Sequence, residues 1–292
     1  MRKNWLPPSA LLAGFLTAGL VTTGAQPAWP EGAVPAGYVW LDVNGEPLPV
    51  QADAELEEFL RTARIVDSQE TKIGRFGVRK LTLEGGDIAA HAACRTRAVE
   101  DRKRQLKDRE VWFYRDHYIH EPAAYALSEL LELEMVPPAV LRTVRGKKAS
   151  VQLWVEGVMV EVEREKRGVK PPDSRRYLLQ LYQMRLFDNL INNLDRNQGN
   201  ILIDPDWRVW LIDHGQAFIR DQKLPIPHLV RRVERRVWDR LRSVSDEELE
   251  AAVEPYLGGP ERAALLVRRR LLVELIEEKI AKLGEDGILF SW

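Results

Sequence analysis

The chain has 292 residues, 45% of them hydrophobic and 30% charged, with a formal net charge of −1. That balance suits a globular protein that buries its own core in one large domain or two lobes. It excludes a general nucleic-acid binder, which carries a marked basic excess.

The N-terminus has three parts. Arg2 and Lys3 supply positive charge, an apolar run extends from Ala10 to Val21, and the small residues Thr23, Gly24, Ala25 and Ala28 follow. This is the layout of a secretory signal peptide over residues 1–28. Its apolar core of about a dozen residues is short against the roughly 20 needed for a membrane span. Export to the periplasm or the exterior is therefore expected, with the mature chain starting near Gln26 or Trp29. No later apolar run is long enough to span a bilayer, so no integral membrane segment is expected in the mature chain.

Residues 29–50 are rich in Pro, Gly and Ala and read as a linker. Ala52 to Arg64 has helical periodicity, with Leu56, Phe59, Leu60 and Ala63 on one face and Asp53 as a cap. A strand-rich block follows: a glycine turn over Ile73–Val78, a strand at Leu81–Leu83, a Gly85-Gly86 turn and a returning strand over Ala89–Thr96. Cys94, the only cysteine, excludes an internal disulfide and a Cys/His zinc site. Its apolar neighbours make it a small core residue. Glu100 to Arg109 is densely charged and predicts a solvated loop or surface helix. Glu121 to Leu133 predicts a helix stopped by Pro137-Pro138.

Strands are expected at 140–144, 151–155 and 158–162, and a polar boundary at 166–173. Tyr177 to Asn193 predicts a helix with Leu178, Leu181, Tyr182, Leu186 and Leu190 along one stripe. Two short strands, 201–203 and 209–212, flank the turn Asp204-Pro205-Asp206-Trp207. The basic run Arg231-Arg232-Val233-Glu234-Arg235-Arg236 reads as a solvated helix face. Ser245 and Glu248 form a capping box, and Pro260 opens a long helix ending near Gly284. The order gives an α+β fold with a β-rich N-lobe (51–165), a helical C-lobe (166–292) and a cleft between them.

The chemistry concentrates in Asn193-Leu194-Asp195-Arg196-Asn197-Gln198-Gly199-Asn200 and in Leu211-Ile212-Asp213-His214-Gly215. A hairpin brings its two ends together, so Asn200 and Asp213 should be neighbours. Both offer hard oxygen ligands of the kind magnesium takes alongside substrate phosphates. Asp195, five residues before the Asn, could accept a hydroxyl proton. Phosphoryl transfer requires these parts.

This pattern (Asp, four residues, Asn, strand, turn, strand, Asp-x-Gly) resembles the catalytic loop and metal motif of protein-kinase-like enzymes. It is most similar to the atypical branch that holds the phosphatidylinositol-kinase-like and secretory-pathway kinases. Glu121 to Leu133 with Val136-Pro137-Pro138 resembles the N-lobe helix of that secreted branch. The resemblance implies a two-lobed kinase-like fold, ATP with Mg or Mn as cofactors, Asp195 as catalytic base, and Asn200 and Asp213 as metal ligands. It also implies that Glu121 pairs with a phosphate-holding cation. Arg95 stands where that branch has a lysine, with Lys80 on the preceding strand as the fallback, and Gly74 and Gly77 are candidates for a phosphate-covering loop. The segment Leu153–Gly157 would face adenine. The expected function is transfer of phosphate from ATP to a hydroxyl acceptor, whose class (protein, sugar, lipid or small molecule) the sequence leaves open. The alternatives are a pseudokinase, motivated by Arg95, and an AMP-transferase on the same fold.

Overall fold

Residues 38–71, 77–106 and 110–292 are described in a computed structural model of the chain. The expected signal peptide and Gly74 lie outside the described residues. Among the described residues no helix is long and apolar enough to cross a membrane.

Helix α1 (Asp53–Thr62) buries Leu56, Phe59 and Leu60, the face its periodicity predicts. Asp53 is its first helical residue rather than its cap, which is Ala52; the carboxylate still meets the positive end of the helix dipole. The helix packs on an antiparallel sheet of five strands: β1 (Arg64–Glu70), β2 (Val78–Gly85), β3 (Ile88–Arg95), β7 (Lys147–Leu153) and β6 (Ala139–Val144), in that spatial order. Side chains alternate across a strand. Leu81 and Leu83 of β2, Ala90, Ala92 and Cys94 of β3, and Val151 and Leu153 of β7 share one buried face. The other face therefore carries Lys80, His91, Ala93, Arg95 and Gln152. Trp40 and Leu48, from the stretch before α1, are buried in the same core.

Of the charged segment expected as a loop or surface helix, residues 100–105 instead belong to a two-stranded ribbon, β4 (Ala98–Gln105) with β5 (Glu110–His117). Its apolar support is thin: Val111 and Tyr114 pack with Ile219, Val99 and Leu106. Ion pairs flank the backbone ladder, with Lys103 on Glu110 at 2.7 Å and Arg115 on Glu100. Charge density hid the strand because its cross-strand partners lie outside the segment.

Helix α2 (His120–Leu130) stops short of Leu133. Glu132 and Glu134 both take left-handed backbone, φ 54°, so the chain leaves the helix before the prolines. Its Ala123, Ala124 and Leu127 join the core of the C-lobe. The strand expected over 158–162 shrinks to β8 (Met159–Val160). Glu161 then begins α3 (Glu161–Arg167), held by Arg164 bonding Glu161 at 2.6 Å and ended by left-handed Gly168.

Helix α4 (Ser174–Ile191) is capped by the Asp173 carboxylate, which accepts from Arg176 N at 2.9 Å. Leu178, expected on its inner stripe, is exposed, while Gln180 and Gln183 are buried. The helix is turned because Gln180 clamps the next hairpin: its amide donates to Trp207 O and its oxygen accepts from Val209 N, both at 2.8 Å. That hairpin, β9 (Ile201–Ile203) and β10 (Val209–Leu211), is formed as predicted and β8 completes a three-stranded sheet.

In the C-terminal third the basic run splits between β11 (Val233–Glu234) and the start of α5 (Arg235–Ser243). Helix α6 (Asp246–Val253) carries the Ser245–Glu248 capping box, and α7 (Gly259–Leu283) has Pro260 in its first turn and Gly284 at its end. A short α8 (Glu285–Ile288) leads to β12 (Leu289–Phe290), which pairs with β11.

Candidate active site

The site begins where α4 ends. Asn192 takes left-handed backbone, φ 49°, and releases the chain into a loop. A buried guanidinium staples that loop. Arg196 donates to Asp188 Oδ1 at 3.1 Å, to Asn200 O at 2.8 Å and to Ile212 O at 2.9 Å. Asn193 also donates to Asp188, at 3.2 Å, and accepts from Asp195 N at 3.0 Å. One arginine thus ties α4, the loop and the residue that follows β10 into a single geometry.

Asn200 donates its side-chain N–H to Asp195 O at 2.8 Å. This commits its amide nitrogen to the loop and leaves the carbonyl oxygen as the donor a cation would take. The Asp195 carboxylate accepts from Gln216 Nε2 at 3.0 Å. Asp213 sits two residues past β10 with φ 61°, a left-handed conformation uncommon for a residue with a side chain.

Arg95 at the end of β3 reaches across to Asp213, donating to Oδ1 at 2.8 Å, with its Nε 3.4 Å from Glu121 Oε1. Glu121, in the first turn of α2, is fully buried. It accepts from His214 N at 2.8 Å and faces His214 Nδ1 at 3.0 Å. Burial pushes the Glu121 carboxyl up, but Arg95 and His214 outweigh it and hold it at about 2. Asp213 goes the other way: burial raises its pKa, against the pull of Arg95.

Arg95, Glu121, Asp213 and His214 therefore form one connected network; the sequence resemblance implied only that Glu121 pairs with the cation, and the Arg95–Asp213 contact comes from the structure. Asp195 and Asn200 are joined to each other beside it. Gly77, with φ 104°, lines the same cavity as Arg95, Asp195 and Asp213. Lys80 does not join. It lies on the same sheet face but is 3.8 Å from Glu156 and stacks on Trp154 at 4.8 Å.

Three contributors were not read from the sequence: Arg97, Asp116 and Gln216, all lining the cavity. Asp116 closes on Gly215 so tightly that a Cβ there would lie 2.6 Å from Asp116 Oδ1. His117 N donates to Gly215 O at 2.9 Å, and the His120 ring donates to the same oxygen at 2.7 Å. Burial lowers the His120 pKa to about 3, so it stays neutral with its proton on Nδ1. A glycine after the Asp213-His214 pair was the only sequence signal for this close approach.

Among the described residues no cluster of three His, Cys, Asp or Glu side chains is arranged to hold a metal ion. Asn200 and Asp213 nonetheless offer the hard oxygens that suit magnesium or manganese, ions that complete their shells with phosphate and water. The donor set fits an ion delivered with a nucleotide.

The β-rich lobe with its buried Arg–Glu pair, and the hairpin with its Asp-x-Gly end, define a protein-kinase-like fold. Among solved structures the chain is similar to a hydra Fam20 with sugar, with a TM-score of 0.63 and 16% identity, over 83% of this chain and 94% of that one. It is also similar to the Golgi casein kinase with Mn/ADP bound, with a TM-score of 0.58 and 17% identity, over 81% and 78%. No protein-family model and no curated protein matches the sequence.

Proposed function

We propose that the protein is an exported, kinase-like phosphotransferase that moves the terminal phosphoryl group of ATP to a hydroxyl-bearing acceptor. The observation that carries this reading is the joining of Arg95, Glu121 and Asp213 into one network, with Asp195 and Asn200 in the loop beside it. Arg95 would hold nucleotide phosphate, and Glu121 would fix the guanidinium. Asn200 and Asp213 would hold Mg or Mn, which when bound neutralises phosphate charge. Asp195 would take the acceptor's proton as the acceptor oxygen bonds phosphorus and the bond to ADP breaks. The manganese and ADP in the Golgi casein kinase structure support this nucleotide and ion class. The N-terminal sequence pattern supports export.

A second reading, nucleotide binding without turnover, is favoured by one contact. Arg95 bonds Asp213 directly, so a bound ion must share that carboxylate with a guanidinium.

Calorimetric titration of ATP with Mg or Mn tests both readings at the binding step. The intact protein is expected to bind. Asp213→Ala should weaken binding by about 100-fold or more, the scale of an unpaired buried charge. No heat from the intact protein with either ion would remove the nucleotide reading altogether.

A further inference from the structure

The cavity holds a second arginine that the reaction above leaves without a role. Arg97 lies two residues past Arg95 and lines the same cavity, together with Asp195 and Asp213. The two arginines are held differently. Arg95 is fixed between Glu121 and Asp213 at the base of the cleft. Arg97 is 45% exposed, and its Nε donates to Asp116 Oδ2 at 2.5 Å.

Asp116 is the stationary half of that pair. Its other oxygen packs so close to Gly215 that a Cβ there would lie 2.6 Å from it, and the next residue's N–H is bonded to Gly215 O. Arg97 has a long side chain, substantial exposure and a carboxylate partner. A guanidinium so held is exchangeable. A terminal phosphate carries more charge than a carboxylate and accepts the same two-pronged geometry.

We propose that Arg97 moves from Asp116 to the terminal phosphate of the bound nucleotide, so that the site prefers a nucleoside triphosphate over a diphosphate. Asp116 is its resting partner. This inference rests on the nucleotide-binding reading and adds to it a residue that reads phosphate number.

The test uses the full chain, ADP, and a non-hydrolysable ATP analogue, each titrated with Mg. Arg97→Gln is expected to weaken the analogue about tenfold or more, the scale of a lost charge-assisted contact, and to leave ADP nearly unchanged. Arg97→Lys should recover part of the preference. Asp116→Asn, which releases Arg97, should raise affinity for the analogue relative to ADP. Thermal melts of each variant establish that it is folded. Equal losses for both nucleotides, or an unchanged ratio with ADP still bound, would overturn the role of Arg97 while leaving the nucleotide site standing. No binding of either nucleotide to the unaltered chain would overturn both.

Discussion

Asp195→Asn is expected to lower phosphoryl transfer by about 10²–10⁴-fold, the contribution of a positioned general base, with little change in nucleotide affinity. The carboxylate is oriented from several sides. Gln216 donates to its Oδ2 at 3.0 Å, and its own N–H is tied to Asn193 Oδ1 at 3.0 Å. An Asn of the same shape keeps the loop but cannot take a proton. Its amide also presents donors to Gln216, whose side chain must rotate to offer its oxygen. The measurement is ADP released from ATP, to water or to hydroxyls on the protein itself, alongside calorimetric binding. A rate that falls while affinity holds assigns Asp195 to the chemical step. Equal, measurable rates for both forms would remove Asp195 from the chemical step, and binding with no ADP released by either form points to nucleotide binding without turnover. Pyrophosphate in place of ADP points to AMP transfer.

The parts of this site that were legible in sequence are those set by local spacing. Asp195, Asn200 and Asp213 are bound to one loop and one hairpin, and the two strands flanking Asp204–Trp207 form as their alternation predicts. The apolar face of α1 and the Ser245 capping box are local in the same way. Arg95 was singled out through the resemblance, as the residue standing where that branch has a lysine, although its contacts with both Glu121 and Asp213 depend on lobe packing.

What could not be read depends on pairing across long separations. Arg97 and Asp116 meet only because β4 and β5 form a ribbon, and many of that ribbon's facing side chains are charged, with only a small apolar cluster. A segment whose partners are ionic has no periodic hydrophobic signature to read. Gln180 and Gln183 gave no burial signal either, since amides are mostly exposed; Gln180 is buried here because it satisfies the backbone of the hairpin. The same clamp turned α4 and exposed Leu178.

Glu121→Gln is expected to cost about 3–5 kcal/mol of stability, the range for breaking a buried ion pair by removing one partner. Glu121 meets Arg95 at 3.4 Å, His214 N at 2.8 Å and His214 Nδ1 at 3.0 Å, with no solvent access. A neutral amide can accept from one of these groups but presents N–H to another, and Arg95 keeps only Asp213. The pH dependence follows from the same contacts. The Glu121 carboxyl is held at about 2 against an ordinary 4.5, so its contribution is fully present above 4.5 and is lost as pH falls toward 2. That contribution is about 3–4 kcal/mol at about 1.4 kcal/mol per pH unit. Melting curves between pH 2 and 7 should therefore show a steep acid limb in the native chain and a flatter, lower curve in the variant. Parallel curves would mean that Glu121 is not the carboxylate whose protonation loosens the fold. A melt unchanged at pH 7 would mean that the buried network does not hold the two lobes together as its geometry requires.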